Sequence, residues 1–167
     1  MLQEQFEFRS IRVGEEDRAV MIEQICFPPH EACSEKHMKE RIAHVPELFL
    51  VATDRATGEL AGFLNGIATN EAAFRDEFFT DAQLHEPDGS SVMLLGLDVL
   101  PQYRGRGLAR ALVEEYAARE RANGRKYLVL TCLEEKVAMY RKLGLDDRGM
   151  ANSTWGGESW HEMSLTL

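Results

Sequence analysis

Alternation opens the chain. Phe6, Phe8, Ile11 and Val13 stand among charged and polar neighbours in the segment F-E-F-R-S-I-R and beyond, which predicts a first strand ended by Gly14. The period then lengthens: Ala19, Ile22, Ile25 and Cys26 recur at helical spacing between Glu15 and Phe27, and Pro28-Pro29 breaks that helix. Ser34 begins a second helix, with Met38, Ile42 and Val45 on one face, that runs to Pro46. Leu48 to Thr53 and Leu60 to Ile67 are apolar runs joined by the polar turn D-R-A-T-G-E, so they read as a hairpin. Residues 69–90 are acidic and weakly patterned, with Phe74, Phe78 and Phe79 as anchors, and read as a partly helical insertion.

The densest pattern follows, in L-L-G-L-D-V-L-P-Q-Y-R-G-R-G-L-A-R-A from Leu94 to Ala111. An apolar strand (Val92 to Val99) stops at Pro101, a glycine-rich turn follows, and a helix runs from Gly107 to about Asn123, where Gly124 stops it. Tyr127 to Cys132 is an unbroken apolar run and reads as a buried strand. A short helix spans Lys136 to Leu143. Two last strands, Gly149 to Trp155 and Trp160 to Leu165, flank Gly156-Gly157 as a hairpin. The order β-α-α-β-β-β-α-β-α-β-β implies an α/β protein with a mixed sheet and helices on both faces, in a single domain over residues 1–167.

Charge narrows the partners. A net charge of −9, with no basic stripe, argues against nucleic acid and anionic membranes and favours a small cationic amine. Three cysteines without C-x-x-C spacing suggest neither a disulfide framework nor a zinc site. His37, His44, His85 and His161 are scattered without metal-ligand spacing. No apolar run approaches membrane-spanning length, and the expected setting is the cytoplasm.

The loop carries the chemistry. Gly105 and Gly107 permit positive φ and a close approach of backbone to a ligand, the helix start favours an anion, and Arg104, Arg106 and Arg110 add positive charge. Its natural ligand is a polyphosphate. A Walker loop and a dinucleotide fingerprint both lack required residues here.

The order R-G-R-G-L-A resembles the Arg/Gln-x-x-Gly-x-Gly/Ala signature of the GNAT superfamily of acyl-CoA-dependent N-acyltransferases, with Arg104, Gly107 and Ala109 on its fixed positions. The element order is also that of the GNAT fold. Within the superfamily the chain looks most like the arylalkylamine (serotonin) N-acetyltransferase group, through F-P-P-H-E-A-C-S at 27–34, L-H-E-P-D-G at 84–89 and C-L-E-E-K-V-A-M-Y-R-K-L-G-L at 132–145.

The resemblance implies acetyl-CoA as cosubstrate, with its pantetheine amides on the backbone of Leu97, Asp98 and Val99. Its pyrophosphate would lie on Arg104, Gly105, Arg106, Gly107, Leu108, Ala109 and Arg110. It implies no metal. Tyr140 occupies the family's general-acid position. The histidine pair of the vertebrate serotonin enzyme is replaced by Met93 and Leu95, which leaves Glu31 as a candidate base, or else a solvated loop charge; His30 is a weaker one. The activity so implied is acetyl transfer to the primary amine of a small molecule, an arylalkylamine or a polyamine, by a monomer or homodimer. Acetylation of a peptide or protein amine and a non-catalytic acyl-CoA-binding module stay open.

Overall fold

The computed structural model describes residues 2–167. Helix α1 (Leu2–Gln5) leads into strand β1 (Phe6–Ser10), and two helices follow, α2 (Glu16–Cys26) and α3 (Glu35–His44). Next come β2 (Phe49–Asp54), β3 (Leu60–Thr69), the single-turn α4 (Glu77–Thr80) and β4 (Ser91–Val99). Helix α5 (Leu108–Ala122), β5 (Tyr127–Cys132), α6 (Val137–Lys142), β6 (Asp146–Met150) and β7 (His161–Thr166) complete the chain. The seven strands stand in the order β1-β2-β3-β4-β5-β7-β6. The β4–β5 pair is parallel and β1–β2, β2–β3, β5–β7 and β6–β7 are antiparallel, so the sheet is mixed.

The chain divides into two compact units, Met1–Asn65 with Gly96–Tyr116, and Gly66–Leu95 with Ala117–Leu167. In the first, Phe49 and Phe63 stack with centroids 4.8 Å apart, Phe6 meets Tyr103 edge-on, and the Tyr116 hydroxyl donates to the Leu48 carbonyl at 2.9 Å. Ser34 caps α3 by accepting from the His37 N–H. In the second, Leu128, Leu130 and Met163 fill the core, and α5 closes with Gly124 at φ 85° while the Arg125 N–H returns to the Glu120 carbonyl. The insertion is pinned there too: Phe74 packs on Phe78 and Phe79, Phe79 on Trp155, and Asp76 accepts from the Ser153 hydroxyl and the Thr154 N–H.

Three expectations shift. Val13 is 98% exposed, because β1 ends at Ser10. Ile25 is 49% exposed and Glu23 takes the buried place on α2. Strand β6 begins at Asp146 rather than Gly149, because the chain enters it directly after the Gly144 turn that ends α6. Gly149 sits instead in a bulge of that strand at φ 93°, where an L side chain is strained.

Glu23 explains its own burial. Its Oε2 accepts from the Cys33 N–H at 2.9 Å; Arg41 donates to Asn65 Oδ1 at 2.9 Å and to Cys33 Sγ at 3.4 Å; and Asn65 Nδ2 donates to the Gly96 carbonyl at 3.3 Å. This network ties α2, the loop after it, α3, β3 and β4. Glu23 Oε1 and both oxygens of Asp98 are buried without a donor among the described residues. Two carboxylates facing each other share a bond only if one keeps a proton. Burial, and then the charge of Glu23, hold the Asp98 carboxyl well above the ordinary carboxylate range, so Asp98 supplies it.

The sign of the linkage follows. Because the folded pKa is raised, the stability carried by that proton is complete below the unfolded pKa and is lost as pH rises through the folded one. Asparagine at position 98 keeps a donor at every pH. We therefore expect Asp98→Asn to melt above wild type by a margin that widens from about pH 5 to pH 9, reaching the order of 1–3 kcal/mol. Thermal denaturation across that range checks it, and a margin independent of pH would refute the shared proton.

Candidate active site

The loop between β4 and α5 is held at several points. The backbone makes a 3-10 turn over Pro101–Tyr103, the Tyr103 hydroxyl donates to Asp54 Oδ2 at 2.7 Å, and the Arg106 guanidinium lies 5.6 Å from the Tyr103 ring centroid and bonds the Gln102 carbonyl. Arg104 Nε donates to the Val99 carbonyl at 2.9 Å. Gly105 and Gly107 take φ 76° and 83°. A Cβ on Gly105 would meet nothing within 4 Å, and one on Gly107 only a Leu2 methyl at 3.8 Å. Neither glycine is there to make room for protein; both serve the turn and leave the surface beside it bare. Leu108 and Ala109 start α5, and Arg110 faces Glu114 one turn on at 3.7 Å.

On the strand before it, the three residues expected to meet an amide-bearing arm differ. Asp98 turns its side chain into the buried network, and its carbonyl oxygen stands where a Cβ on Gly62 would collide with it. The Val99 carbonyl already accepts from Arg104 and from Cys26 Sγ at 3.4 Å. Leu97 and Val99 are half-exposed. The parallel register with β5 ends at Met93↔Val129, while β4 runs on to Val99. Burial pushes the Cys26 thiol up in spite of the neighbouring Arg104. Glu31 belongs to the same unit, in the loop after α2; its Oε2 lies 3.2 Å from His30 Nε2, and its side chain is 13% exposed.

Tyr140 belongs to the second unit, buried on α6. Its carbonyl accepts from the Leu145 N–H at 3.0 Å as Gly144, at φ 99°, closes the helix. The next residue, Arg141, reaches Asp147 Oδ2 at 3.5 Å, and Asp147 Oδ1 accepts from the Gly149 N–H at 2.8 Å and from His161 Nδ1 at 3.2 Å. The Gly149 N–H first, then His161, holds the Asp147 carboxyl below its usual range. Cys132 stands opposite His161 in the β5–β7 register, and burial pushes its thiol up to about 11.

The structure thus gathers Leu97 to Arg110 and Glu31 in one unit and Tyr140 in the other. Pattern reading missed two groups. Glu23 was detectable as a carboxylate on the apolar stripe of α2, one turn after Ala19 and three residues before Cys26. The Asp147–His161 pair was not, because it depends on the bulge at Gly149 and on a strand start misplaced by three residues.

The helices of the described residues include none long and apolar enough to cross a membrane. A comparison with curated protein sequences finds no match. Solved structures match over nearly the whole chain. The loading GNATL domain of CurA from Lyngbya majuscula superposes with a TM-score of 0.83 at 12% identity, over 96% of this chain and 97% of that one. The ribosomal-protein-S18-alanine N-acetyltransferase from Escherichia coli does so with 0.71 at 21%, over 97% and 94%. The spermidine/spermine N-acetyltransferase SpeG from Vibrio cholerae gives 0.67 at 14%, over 99% and 95%. At these identities the likeness speaks for the fold. The sequence model of the Acetyltransferase (GNAT) family matches residues 17–145, most of the chain, and the chain belongs to that family.

Proposed function

We propose that the protein transfers an acetyl group from acetyl-CoA to the primary amine of a small molecule by direct attack. The observation that carries this is the loop from Arg104 to Arg110, whose two left-handed glycines open α5 directly after a strand that outruns its partner. Backbone N–H groups at a helix start suit a diphosphate, and strand backbone without a ladder partner suits an amide-bearing arm. We assign the pyrophosphate to residues 104–110 and the pantetheine to Leu97 and to the N–H side of Val99. Tyr140 acts as the acid that protonates the leaving thiolate.

The acceptor we propose is an arylalkylamine or a comparable alkylamine. The net charge of −9 attracts a cation, and Glu31, with Phe27, Pro28 and Pro29 beside it in sequence, supplies a carboxylate among apolar residues. Glu31 draws in and orients the ammonium.

A thiol-release assay with acetyl-CoA against a panel of amines tests the reading: CoA release that depends on the amine supports it. No CoA release with any amine, together with loss of carbon dioxide from a carboxyacyl-CoA whose thioester stays intact, would instead assign the chemistry named for the GphF GNAT-like decarboxylase, a neighbour at TM-score 0.78 and 19% identity.

Three substitutions divide the roles. Gly107→Val places a branched side chain at φ 83° and over the anion's approach, so acetyl-CoA binding measured by calorimetry should vanish in a protein whose circular dichroism is unchanged. Tyr140→Phe should lower kcat by on the order of 10²–10⁴-fold with little change in acetyl-CoA affinity; wild-type turnover would return Tyr140 to a packing role. Glu31→Gln should raise KM for a charged amine several-fold and leave kcat near wild type.

A further inference from the structure

We propose that Asp54, which lies outside the anion loop, is a positioning residue for the cosubstrate: through the Tyr103 ring it aims the Arg106 guanidinium at the diphosphate. The inference rests on the acetyl-transfer reading above, which assigns that diphosphate to residues 104–110. Asp54, Tyr103 and Arg106 all belong to the first unit.

Asp54 ends β2, and the turn after it fixes its carboxylate. Oδ1 accepts from the Ala56 N–H at 2.9 Å, and the Asp54 carbonyl accepts from the Gly58 N–H at 2.7 Å. Arg55 ties the same turn to α1, its backbone N–H donating to the Gln5 carbonyl at 2.9 Å and its Nε to the Gln3 carbonyl at 3.0 Å. Oδ2 takes the Tyr103 hydroxyl at 2.7 Å. The Tyr103 hydroxyl first, then the Ala56 N–H, hold the Asp54 carboxyl below its usual range, so it is ionised and can only accept. The same bond raises Tyr103, and the phenol keeps its proton.

The tether sets the plane of the ring. Tyr103 is buried, its hydroxyl end is held by Asp54, and Phe6, which stands opposite Asp54 in the β1–β2 register, meets it edge-on at 5.6 Å. On this ring lies Arg106, its guanidinium carbon 5.6 Å from the centroid and its Nη2 donating to the Gln102 carbonyl at 3.3 Å. A guanidinium laid on a ring keeps N–H donors along its rim, where the planar fork suits phosphate oxygens. The other arginines of the loop are engaged differently: Arg104 turns its Nε back onto the Val99 carbonyl, and Arg110 faces Glu114. Arg106 is therefore the side chain whose aim depends on a residue of another strand.

Two effects of Asp54 oppose each other. Its negative charge repels a diphosphate, so neutralising it would tighten binding; its bond to Tyr103 holds the ring under Arg106, so losing that bond would weaken binding. Asp54 is half-exposed, and salt screens a charge that acts beyond contact, whereas a hydrogen bond at 2.7 Å is not screened in this way. The charge also reaches Arg106, but more weakly than the carboxylate holds Tyr103. The tether dominates.

Calorimetry of acetyl-CoA binding to the full chain, with thermal melting to confirm folding, tests this. Asp54→Ala should weaken binding by on the order of 10-fold. Tyr103→Phe keeps the ring and the Ala56 contact but not the tether, and should weaken it equally. Asp54→Asn should restore most of the affinity: its Oδ1 can take the Ala56 N–H while its Nδ2 donates to the Tyr103 oxygen, since a hydroxyl both donates and accepts. Starting from Arg106→Gln, adding Asp54→Ala should cost little more, because the two changes remove one contact. Folded Asp54→Ala and Asp54→Asn proteins that both bind as tightly as wild type, or more tightly, overturn the proposal in favour of charge repulsion. An equal loss with and without Arg106 overturns it as well, since the effect then bypasses the guanidinium. A wild-type protein that binds no acetyl-CoA refutes the cosubstrate reading first, and the role of Asp54 falls with it.

Discussion

In the first unit the buried carboxyls of Glu23 and Asp98 belong to the network that joins α2, the loop after it, α3, β3 and β4. Five elements meet at this network, and none of its members tolerates loss of a partner cheaply, since a buried carboxylate without a donor costs far more than a buried methyl group. Its location matters as much as its energy. Glu23 anchors the loop that carries Glu31, Asn65 holds the Gly96 carbonyl, and Asp98 lies in the stretch of β4 that precedes the anion loop. Strand β4 is bonded to β3 along one edge, and the side chains of this network hold Gly96 and Asp98 in addition.

Much of the fold was legible because its signals are local. Strand β5 and the start and stop of α5 follow from an unbroken apolar run and from glycines at fixed places, and all of them agree with the geometry. Errors cluster where long-range partners decide. The stripe around Ile25 marks Glu23 as facing inward but does not say what satisfies it there, because its partners, Cys33 and Asp98, lie farther along the chain. The pattern around Gly149 suggests a strand start, whereas the chain uses that glycine to bend a strand already under way. Of the candidate site, the glycine turn before α5 could be read, since Gly105 and Gly107 mark it locally. The Asp147–His161 contact could not, because it joins two strands across a bulge that no spacing rule anticipates.

Position on the chain and role in the site also separate at β4. Leu97, Asp98 and Val99 are adjacent and would be treated alike by any motif, yet Asp98 sinks a carboxyl into the core while Leu97 and Val99 are half-exposed, and Val99 has its carbonyl occupied by Cys26 and Arg104. The strand's pleat assigns these fates.

The clamp on the Val99 carbonyl has a kinetic side. A loop tied down by Arg104, by the Tyr103 hydroxyl and by the 3-10 turn has few conformations left to lose when a diphosphate arrives, and each side chain already immobilised spares an ordering cost of roughly 0.5–1.5 kcal/mol at association. On the proposed reading, encounter with the anion would resemble the seating of a rigid key more than the folding of a flap around it, and the rates of arrival and departure would follow the contacts to the anion and not rearrangement of the chain.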